Sequence, residues 1–298
     1  MNSLVNDMQP TFTTIREARR WASLFLQKHG REARVGDLLI ENLLGWSQAK
    51  ILAYEIEEFP LSQREDFVNQ IHTHAETGVP VQHITGFAHF YGREFKVSPH
   101  VLIPRPETEE LLLGVIEFIR SHNIDRPKIA DIGTGSGVLS ISAALEIPDS
   151  EVIAVDISED ALAVAARNAE AMQADIQFYQ GDFLDPLKNH SIDIVISNPP
   201  YISHQEKSGM DDTVVNFDPE LALFADEDGL AAYRIMLEQL STFEKKPLCI
   251  AFEIGHQQGA AVEGMIRKLL PEYETEIRKD MNGKDRMVFG FHKELRVS

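Results

Sequence analysis

A glycine turn between a short apolar strand and a helix constrains this chain more than any other feature. Lys128-Ile129-Ala130-Asp131-Ile132 reads as a strand, Gly133-Thr134-Gly135-Ser136-Gly137 as the turn and Val138 to Ile147 as a helix. Glycine permits the tight strand-to-helix reversal and lets a ligand come close to the backbone. A turn of this kind belongs to a parallel sheet with helices on its faces. The spacing is G-x-G-x-G. Val138 stands where a dinucleotide-binding turn would carry its third glycine.

Two further strand units follow. Glu151-Val152-Ile153-Ala154-Val155 ends in Asp156, an acid at the end of the second strand. That is the place from which a carboxylate accepts hydrogen bonds from ribose hydroxyls. Ile176-Gln177-Phe178-Tyr179-Gln180-Gly181-Asp182-Phe183 then puts an acid and an aromatic ring after the third strand. Asp182 suits an adenine amino group, and Phe183 can stack on the ring. The fourth apolar run, Ile192 to Ser197, delivers Asn198-Pro199-Pro200-Tyr201. Parallel sheets present reactive residues just past the carboxyl ends of their strands. The chemistry of this tetrapeptide fits alkylation of a planar NH2 group, whose lone pair is delocalised and poorly nucleophilic. The Asn198 side-chain oxygen and the Pro199 carbonyl can each accept one N–H hydrogen, turning the lone pair toward an incoming methyl. Neither proline offers a competing N–H. Tyr201 supplies a flat face for stacking. Asn-Pro and Pro-Pro are also ordinary turn signals. Their position after the glycine turn, the ribose acid and the adenine-side acid weighs for a methyl-transfer site using S-adenosylmethionine, with S-adenosylhomocysteine as product.

Charge narrows the partners. The chain of 298 residues has a formal net charge of −19, unevenly spread. Residues 1–90 hold 8 Lys/Arg against 11 Asp/Glu, and the remainder hold 20 against 36. A grip on duplex DNA needs cationic groups that displace phosphate counterions. An acidic catalytic half argues against direct nucleic-acid binding and suits a basic protein or peptide. The single cysteine, Cys249, lies within the apolar run Leu248 to Phe252 and reads as a buried thiol in a reducing compartment. Met1 to Pro10 lacks the basic and apolar regions of a signal peptide, and nowhere do 18 apolar residues run together. The expectation is a cytoplasmic monomer without membrane association.

The chain divides near residue 85. Ile15, Ala18, Trp21, Ala22 and Phe25 recur at helical spacing, as do stretches from Val35 to Leu44 and from Ser62 to His74. Residues 1–82 are expected to form a small bundle of four or five helices. Residues 83–104 follow as a β-hairpin linker around Gly92, and residues 105–298 as the α/β domain. His72, His74, His83 and His89 lack accompanying cysteines, and the pair Asp211-Asp212 lacks a third ligand, so no metal site is expected. Pro106 suits a first helical position, with Glu107, Glu109 and Glu110 at the positive end of the helix. Ile202 to Pro219 has no clear periodicity and reads as a substrate-facing loop. A helix from Gly229, a strand from Leu248, a helix from Gln257 and two closing strands complete the count. The predicted fold is a seven-stranded, doubly wound sheet with a C-terminal antiparallel hairpin, the class I methyltransferase architecture.

The sequence resembles the HemK/PrmC family of glutamine methyltransferases that act on bacterial class-I peptide chain release factors. The matching stretches are Gly78 to Gly86, Ser98 to Glu109, Asp131 to Gly137, Asp156, Ser197 to Tyr201, Asn216 to Leu223, Glu253 to Gly259 and Asp280 to Arg286. The resemblance implies methyl transfer to the glutamine of the Gly-Gly-Gln motif. The helical domain carries no chemistry and either stabilises its neighbour or contacts the substrate, and recognition is expected because the slot cannot tell one exposed glutamine from another. The resemblance also implies that Gly133, Thr134, Gly135, Ser136, Gly137, Asp156, Asp182, Phe183 and Asn198 hold the cofactor. Asn198, Pro199, Pro200 and Tyr201 would hold the glutamine. The family often has Trp where this chain has Phe183, which leaves less area for stacking. The tetrapeptide itself leaves open a glutamine of a large-subunit ribosomal protein. It fits an adenine amino group less well, because that target needs a basic face and a base-flipping pocket. A non-enzymatic binding module is disfavoured by the intact Asn198 and glycine turn.

Overall fold

The computed structural model describes residues 10–210 and 212–296. The readings of the first nine residues and of Asp211 fall outside them. Two compact units are present. One is formed by the chain up to Gly86 together with Asp212–Phe217. The other is formed by the chain from Phe87 onward without that segment.

The first unit is helical: α1 (Ile15–Lys28), α2 (Arg34–Leu44), α3 (Gln48–Ala53), α4 (Leu61–Thr77) and α5 (Val81–Thr85). Thr14 opens α1 with a reciprocal cap, accepting from the Glu17 N–H while the Glu17 carboxylate accepts from the Thr14 N–H. The apolar stripe foreseen along α1 is buried at Ile15, Ala18 and Ala22, and Trp21 and Phe25 pack partly buried beside it. Phe12, Leu39, Phe59, Phe67 and Ile71 are buried in the same core.

The second unit begins with an antiparallel hairpin, β1 (Phe87–Phe90) and β2 (Arg93–Lys96). Its Phe90 and Phe95 are buried in the same cluster as Leu111, Val115 and Phe289. The hairpin therefore packs into the α/β core, and the boundary between units falls at Gly86, a few residues beyond the expected 82. After α6 (Pro106–Ser121) come β3 (Lys128–Ile132), α7 (Val138–Glu146), β4 (Glu151–Asp156), α8 (Glu159–Met172), β5 (Ile176–Gln180) and β6 (Ile194–Ser197). A pair of two-residue strands, β7 (Ile202–Ser203) and β8 (Phe224–Ala225), brackets α9 (Asp212–Phe217) and α10 (Glu220–Leu223). The chain closes with α11 (Asp226–Gly229), α12 (Ala231–Ser241), β9 (Cys249–Glu253), α13 (Gly259–Leu269), β10 (Tyr273–Lys279) and β11 (Asp285–His292).

Seven of these strands form one sheet in the order β10-β11-β9-β6-β3-β4-β5. Five run parallel, and β11 joins β9 antiparallel with β10 as its hairpin partner. This is the expected fold class. Successive strand residues point to opposite faces, which splits the core in two. Ile129, Ile194, Ile196 and Phe289 pack under α6 and α7. Ala130, Val195, Ile250, Phe252 and Val288 pack under α12 and α13. The central strands read as unbroken apolar runs because both faces are covered. Cys249 is fully buried, and burial pushes its thiol pKa up, so it is inert as a nucleophile.

The stretch expected as an aperiodic loop, 202–219, holds short elements of its own. One of them, α9, belongs to the helical unit, where Arg31 donates to both carboxylate oxygens of Asp212 at 3.0 and 3.2 Å. These pieces escape a periodicity reading because none is long enough to show a repeat.

Packing between α6 and β11 leaves no spare room at Gly114. A Cβ there would sit 2.6 Å from the Phe289 ring and 3.0 Å from the Arg278 guanidinium. Gly114→Ala should therefore destabilise the protein by about 1–3 kcal/mol, the usual cost of overpacking a filled core. Urea unfolding of the variant and the parent measures it, and an unchanged midpoint would show that the ring yields freely.

Candidate active site

A cavity of about 350 Å³ lies at the carboxyl end of the sheet. Its lining draws on the ends of β3, β4, β5 and β6 and on the start of α6. Gly133, Thr134, Gly135, Ser136, Asp156, Asp182, Phe183, Asn198 and Pro200 all contribute to its wall. Those residues span 68 positions of sequence, and the parallel strand order brings them to one place. Gly137, Pro199 and Tyr201 are not part of the lining. Gly137 serves packing instead. It caps α7 in a left-handed conformation (φ +83°), and a Cβ there would come within 2.8 Å of Ile141.

The glycine turn is built by its own hydrogen bonds. Gly133 and Gly135 both take positive φ, +75° and +56°, and a Cβ at either would meet no atom within 4 Å. The backbone at these two positions thus offers open space to a ligand. Asp156 holds the turn from the next strand: Oδ2 accepts from the Gly135 N–H and Oδ1 from the Ser158 N–H, each at 2.9 Å. Burial pushes its pKa up, while the two N–H donors pull it down. Asp131, fully buried, accepts with Oδ2 from the Thr134 hydroxyl at 2.6 Å and from the Ser140 N–H at 3.0 Å. Its Oδ1 has no partner among the described residues. Burial raises this carboxyl to about 6. Asp131 does not line the cavity and braces the turn from behind, while the open backbone at Gly133 and Gly135 fits a cofactor that comes close to the chain. Phe183 lies on the wall with a left-handed backbone (φ +49°), a conformation that costs a bulky residue energy and marks a constrained position.

On the opposite wall, Asn198 emerges from β6 with its side-chain N–H donating to Thr108 Oγ1 at 3.1 Å. Among the described residues none donates to its Oδ1, which is left free to accept. Thr108, in the first turn of α6, donates in turn to Glu253 Oε2 at 2.6 Å. Glu253 ends β9, is 1% exposed, and receives the Tyr201 hydroxyl at 3.4 Å. Burial lifts its carboxyl to about 7, against the pull of Thr108, Arg286 and Tyr201. Burial likewise pushes the Tyr201 phenol upward. Tyr201 packs against the core beneath α12 and α13. Its carbonyl accepts from Gln258 Nε2 at 2.9 Å, and Gln258 Oε1 accepts from the Gly255 N–H at 2.9 Å. Only glycine fits beside that carbonyl at position 229, where a Cβ would lie 2.1 Å from the Tyr201 oxygen.

The sequence motifs singled out Asn198 but not its supports. Thr108, Glu253 and Gln258 appeared only inside stretches that resembled a family. The one local signal was a charged residue closing the apolar run Cys249-Ile250-Ala251-Phe252-Glu253. Arg105 and Asp218 were missed in the same way. Arg105 Nη2 donates to Asp218 Oδ2 at 2.8 Å, and the Ile103 N–H donates to the other oxygen at 3.4 Å. This pair, with Asp218 buried and Arg105 partly exposed, fixes the start of α6 to the segment before α10, at the cavity wall that includes Pro219 and Leu221. Among the described residues no group of three or more His, Cys, Asp or Glu side chains is placed to hold a metal ion.

Comparison with known proteins agrees with this architecture. Residues 17–86 match the PrmC N-terminal domain family and residues 110–217 the Methyltransferase small domain family. The chain is 43% identical over 276 residues to the release factor glutamine methyltransferase of Bacillus anthracis, covering 92% of this chain and 97% of that one. It is 43% identical to the Bacillus subtilis enzyme of the same name, with 92% and 96% covered, and 41% identical to that of Enterococcus faecalis, with 91% and 97% covered. Among solved structures, the N-terminal domain of human METTL16 in complex with SAH superposes with a TM-score of 0.52 at 13% identity, over 86% of this chain and 93% of that one, a likeness of fold. With identity above 40% over more than nine-tenths of its length and both domain families matched in order, the chain belongs to the release factor glutamine methyltransferase family.

Proposed function

We propose that this protein transfers a methyl group from S-adenosylmethionine to the side-chain amide nitrogen of the glutamine in the Gly-Gly-Gln motif of class-I peptide chain release factors. The observation that carries the reading is Asn198, held on the cavity wall with its amide nitrogen engaged by Thr108 and its oxygen free. An acceptor presented that way selects an NH2 group. The relatives' names favour a release factor over a ribosomal protein or an adenine.

Gly133, Thr134, Gly135, Ser136 and Asp156 would hold the cofactor's amino-acid and ribose parts, with Asp182 and Phe183 at the adenine. The cofactor supplies a methyl group on a sulfonium, already activated toward attack. The rest of the task falls to this chain. Asn198 Oδ1 and the Pro199 carbonyl each accept one hydrogen of the glutamine NH2, which turns the nitrogen lone pair toward the methyl. Pro200 shapes the wall beside them, and Tyr201 supports the turn from the core side. Most of the barrier reduction comes from alignment and restricted freedom of the two reactants. The two acceptors also stabilise positive charge that grows on nitrogen during attack. The released proton passes to water. Asp156 has a double duty, since the carboxylate placed for ribose also anchors the Gly135 turn.

The helical unit has its own core but no chemical motif, and we assign it to recognition of the release factor. One glutamine side chain cannot distinguish its carrier protein from others, so specificity needs surface beyond the slot. Action on a translation factor places the enzyme in the cytoplasm. Among the described residues no helix is long and apolar enough to cross a membrane.

Asn198→Ala should keep its fold and most of its cofactor affinity, yet lose at least about 100-fold in turnover, the scale for one preorganised polar group. Incorporation of labelled methyl into purified release factor reads this out, and turnover within a few-fold of the parent rejects the amide clamp. Asp156→Ala should weaken cofactor binding by roughly 1.5–3 kcal/mol. Unchanged affinity by calorimetry would mean that the ribose lies elsewhere. Removal of residues 1–80 should spare cofactor binding but raise the release-factor KM. Equal activity of the two forms on whole release factor would refute the recognition role, and loss of folding would assign the helices to stability instead.

A further inference from the structure

We propose that Glu253 and Thr108 are positioning residues that set which way the Asn198 amide faces, and so make the site selective for an NH2 group. This inference rests on the amide-clamp reading and extends it to Thr108, on the cavity wall beside Asn198, and to Glu253 behind that wall.

The argument is one of donor counting. A threonine hydroxyl has a single proton. Thr108 commits that proton to Glu253 Oε2 at 2.6 Å. Its oxygen can then only accept, and the atom facing it at 3.1 Å must be a donor. Of the two ends of the Asn198 amide only the nitrogen is a donor, so the oxygen is turned away from Thr108. The assignment follows from chemistry and does not depend on telling nitrogen from oxygen by position. A free-standing asparagine could rotate by 180° and present its NH2 instead, which would repel an amide NH2 and welcome a carbonyl or carboxylate. The ionised Glu253 carboxylate is the group that forbids this rotation.

Strand pairing makes the arrangement possible. Ser197 of β6 lies beside Phe252 of β9 in parallel register, so the next residues on each strand, Asn198 and Glu253, leave the sheet side by side. Thr108 comes down between them from the first turn of α6. Glu253 also meets Tyr201, so one carboxylate braces both ends of the tetrapeptide.

The chain of bonds has a polarity that protonation can undo. The groups facing Glu253 are Thr108 and Glu107 from α6, Tyr201 after β6 and Arg286 from β11. Arg286 is itself engaged by Asp280 at 3.2 Å and donates to the Ile254 carbonyl at 3.3 Å. The Tyr233 hydroxyl of α12 donates to the Glu253 backbone carbonyl at 2.8 Å. With the carboxyl of Glu253 lifted to about 7 by burial, its protonated form dominates at lower pH. Neutral Glu253 can donate to Thr108, Thr108 can then donate to Asn198, and the amide is no longer forced one way. Turnover should accordingly fall as pH drops through about 7.

Steady-state methylation of purified release factor, with cofactor affinity measured separately by calorimetry, tests this. Thr108→Val removes the hydroxyl at nearly constant volume. It should lower kcat at least tenfold with the S-adenosylmethionine Kd within threefold of the parent, and Thr108→Ser should recover most of the loss. Glu253→Gln should lose a similar factor and show no acid limb near pH 7. The double variant should be no worse than about threefold below the poorer single one, as for residues acting through one chain. A kcat for Thr108→Val within threefold of the parent overturns the proposal. So does a Thr108→Ser variant as poor as Thr108→Val, or a loss of cofactor affinity that matches the loss in kcat. Asn198→Ala in the same assay separates the two levels. Normal turnover there rejects the clamp itself, whereas a crippled Asn198→Ala beside a normal Thr108→Val rejects only the positioning role. Should Glu253→Gln not fold, the two Thr108 variants decide the matter alone.

Discussion

The hydrogen bond from Thr108 to Glu253, 2.6 Å long and out of contact with water, is the interaction on which the reactive end of the molecule depends. A carboxylate at the end of a central strand has a heavy desolvation cost, met only by partners that stay in place. Those partners come from α6, from the turn after β6 and from β11. Holding one charged group therefore fixes four elements against each other. The pair also ties the reactive turn to the helix that enters the α/β unit, so the geometry of the turn is set by tertiary packing as well as by its two prolines.

Strand order explains why the cavity lies where it does. From β3 the chain steps outward to β4 and β5, then returns to lay β6 on the other side of β3. Connections leave β3 and β6 in opposite directions, and a crevice opens between them at the carboxyl ends. Gly133 to Ser136 line one side of it and Asn198 the other. The second strand adds Asp156 and the third adds Asp182 and Phe183 on the glycine side. This topology suits the proposed pair of reactants, one along β3, β4 and β5 and the other across the switch point beside β6.

The turn after β6 is braced from both sides of the chain. Glu253 meets the Tyr201 hydroxyl, and Gln258 meets its carbonyl. Gln258 also donates to the Asp228 carbonyl at 3.3 Å, within the left-handed run Glu227-Asp228-Gly229. The run is strained at its two non-glycine positions, and the Gln258 contact together with the ion pair from Arg234 to Glu227 holds it. Rigidity here serves alignment, since a reaction between two bound partners is sensitive to small displacements of either.

The strand-turn-helix pattern at 128–147, the acids closing the next two strands and the tetrapeptide at 198–201 determined the fold class from sequence alone and named part of the cavity wall, though Gly137, Pro199 and Tyr201 lie off it. Each rests on a local rule: apolar runs of strand length, glycine where the turn is tight, an acid or amide just past a strand's end. The supports of the site were decided by tertiary structure. Thr108, Glu253 and Gln258 lie 90, 55 and 60 positions from Asn198, and no spacing rule reaches across such distances. Glu253 looks like the solvated end of a strand until β6, β11 and α6 close over it. Tyr201, which reads as a stacking face, is turned toward the core because its hydroxyl and carbonyl both have partners there. The segment 202–219 is too short-grained for periodicity, and the side of α9 on the helical unit depends on Arg31, 181 residues upstream of Asp212. Local chemistry pointed to Asn198 and to most of the glycine turn, which line the cavity. Which atoms they present is a property of the packed sheet, because it takes a neighbouring strand and a crossing helix to decide how an amide faces.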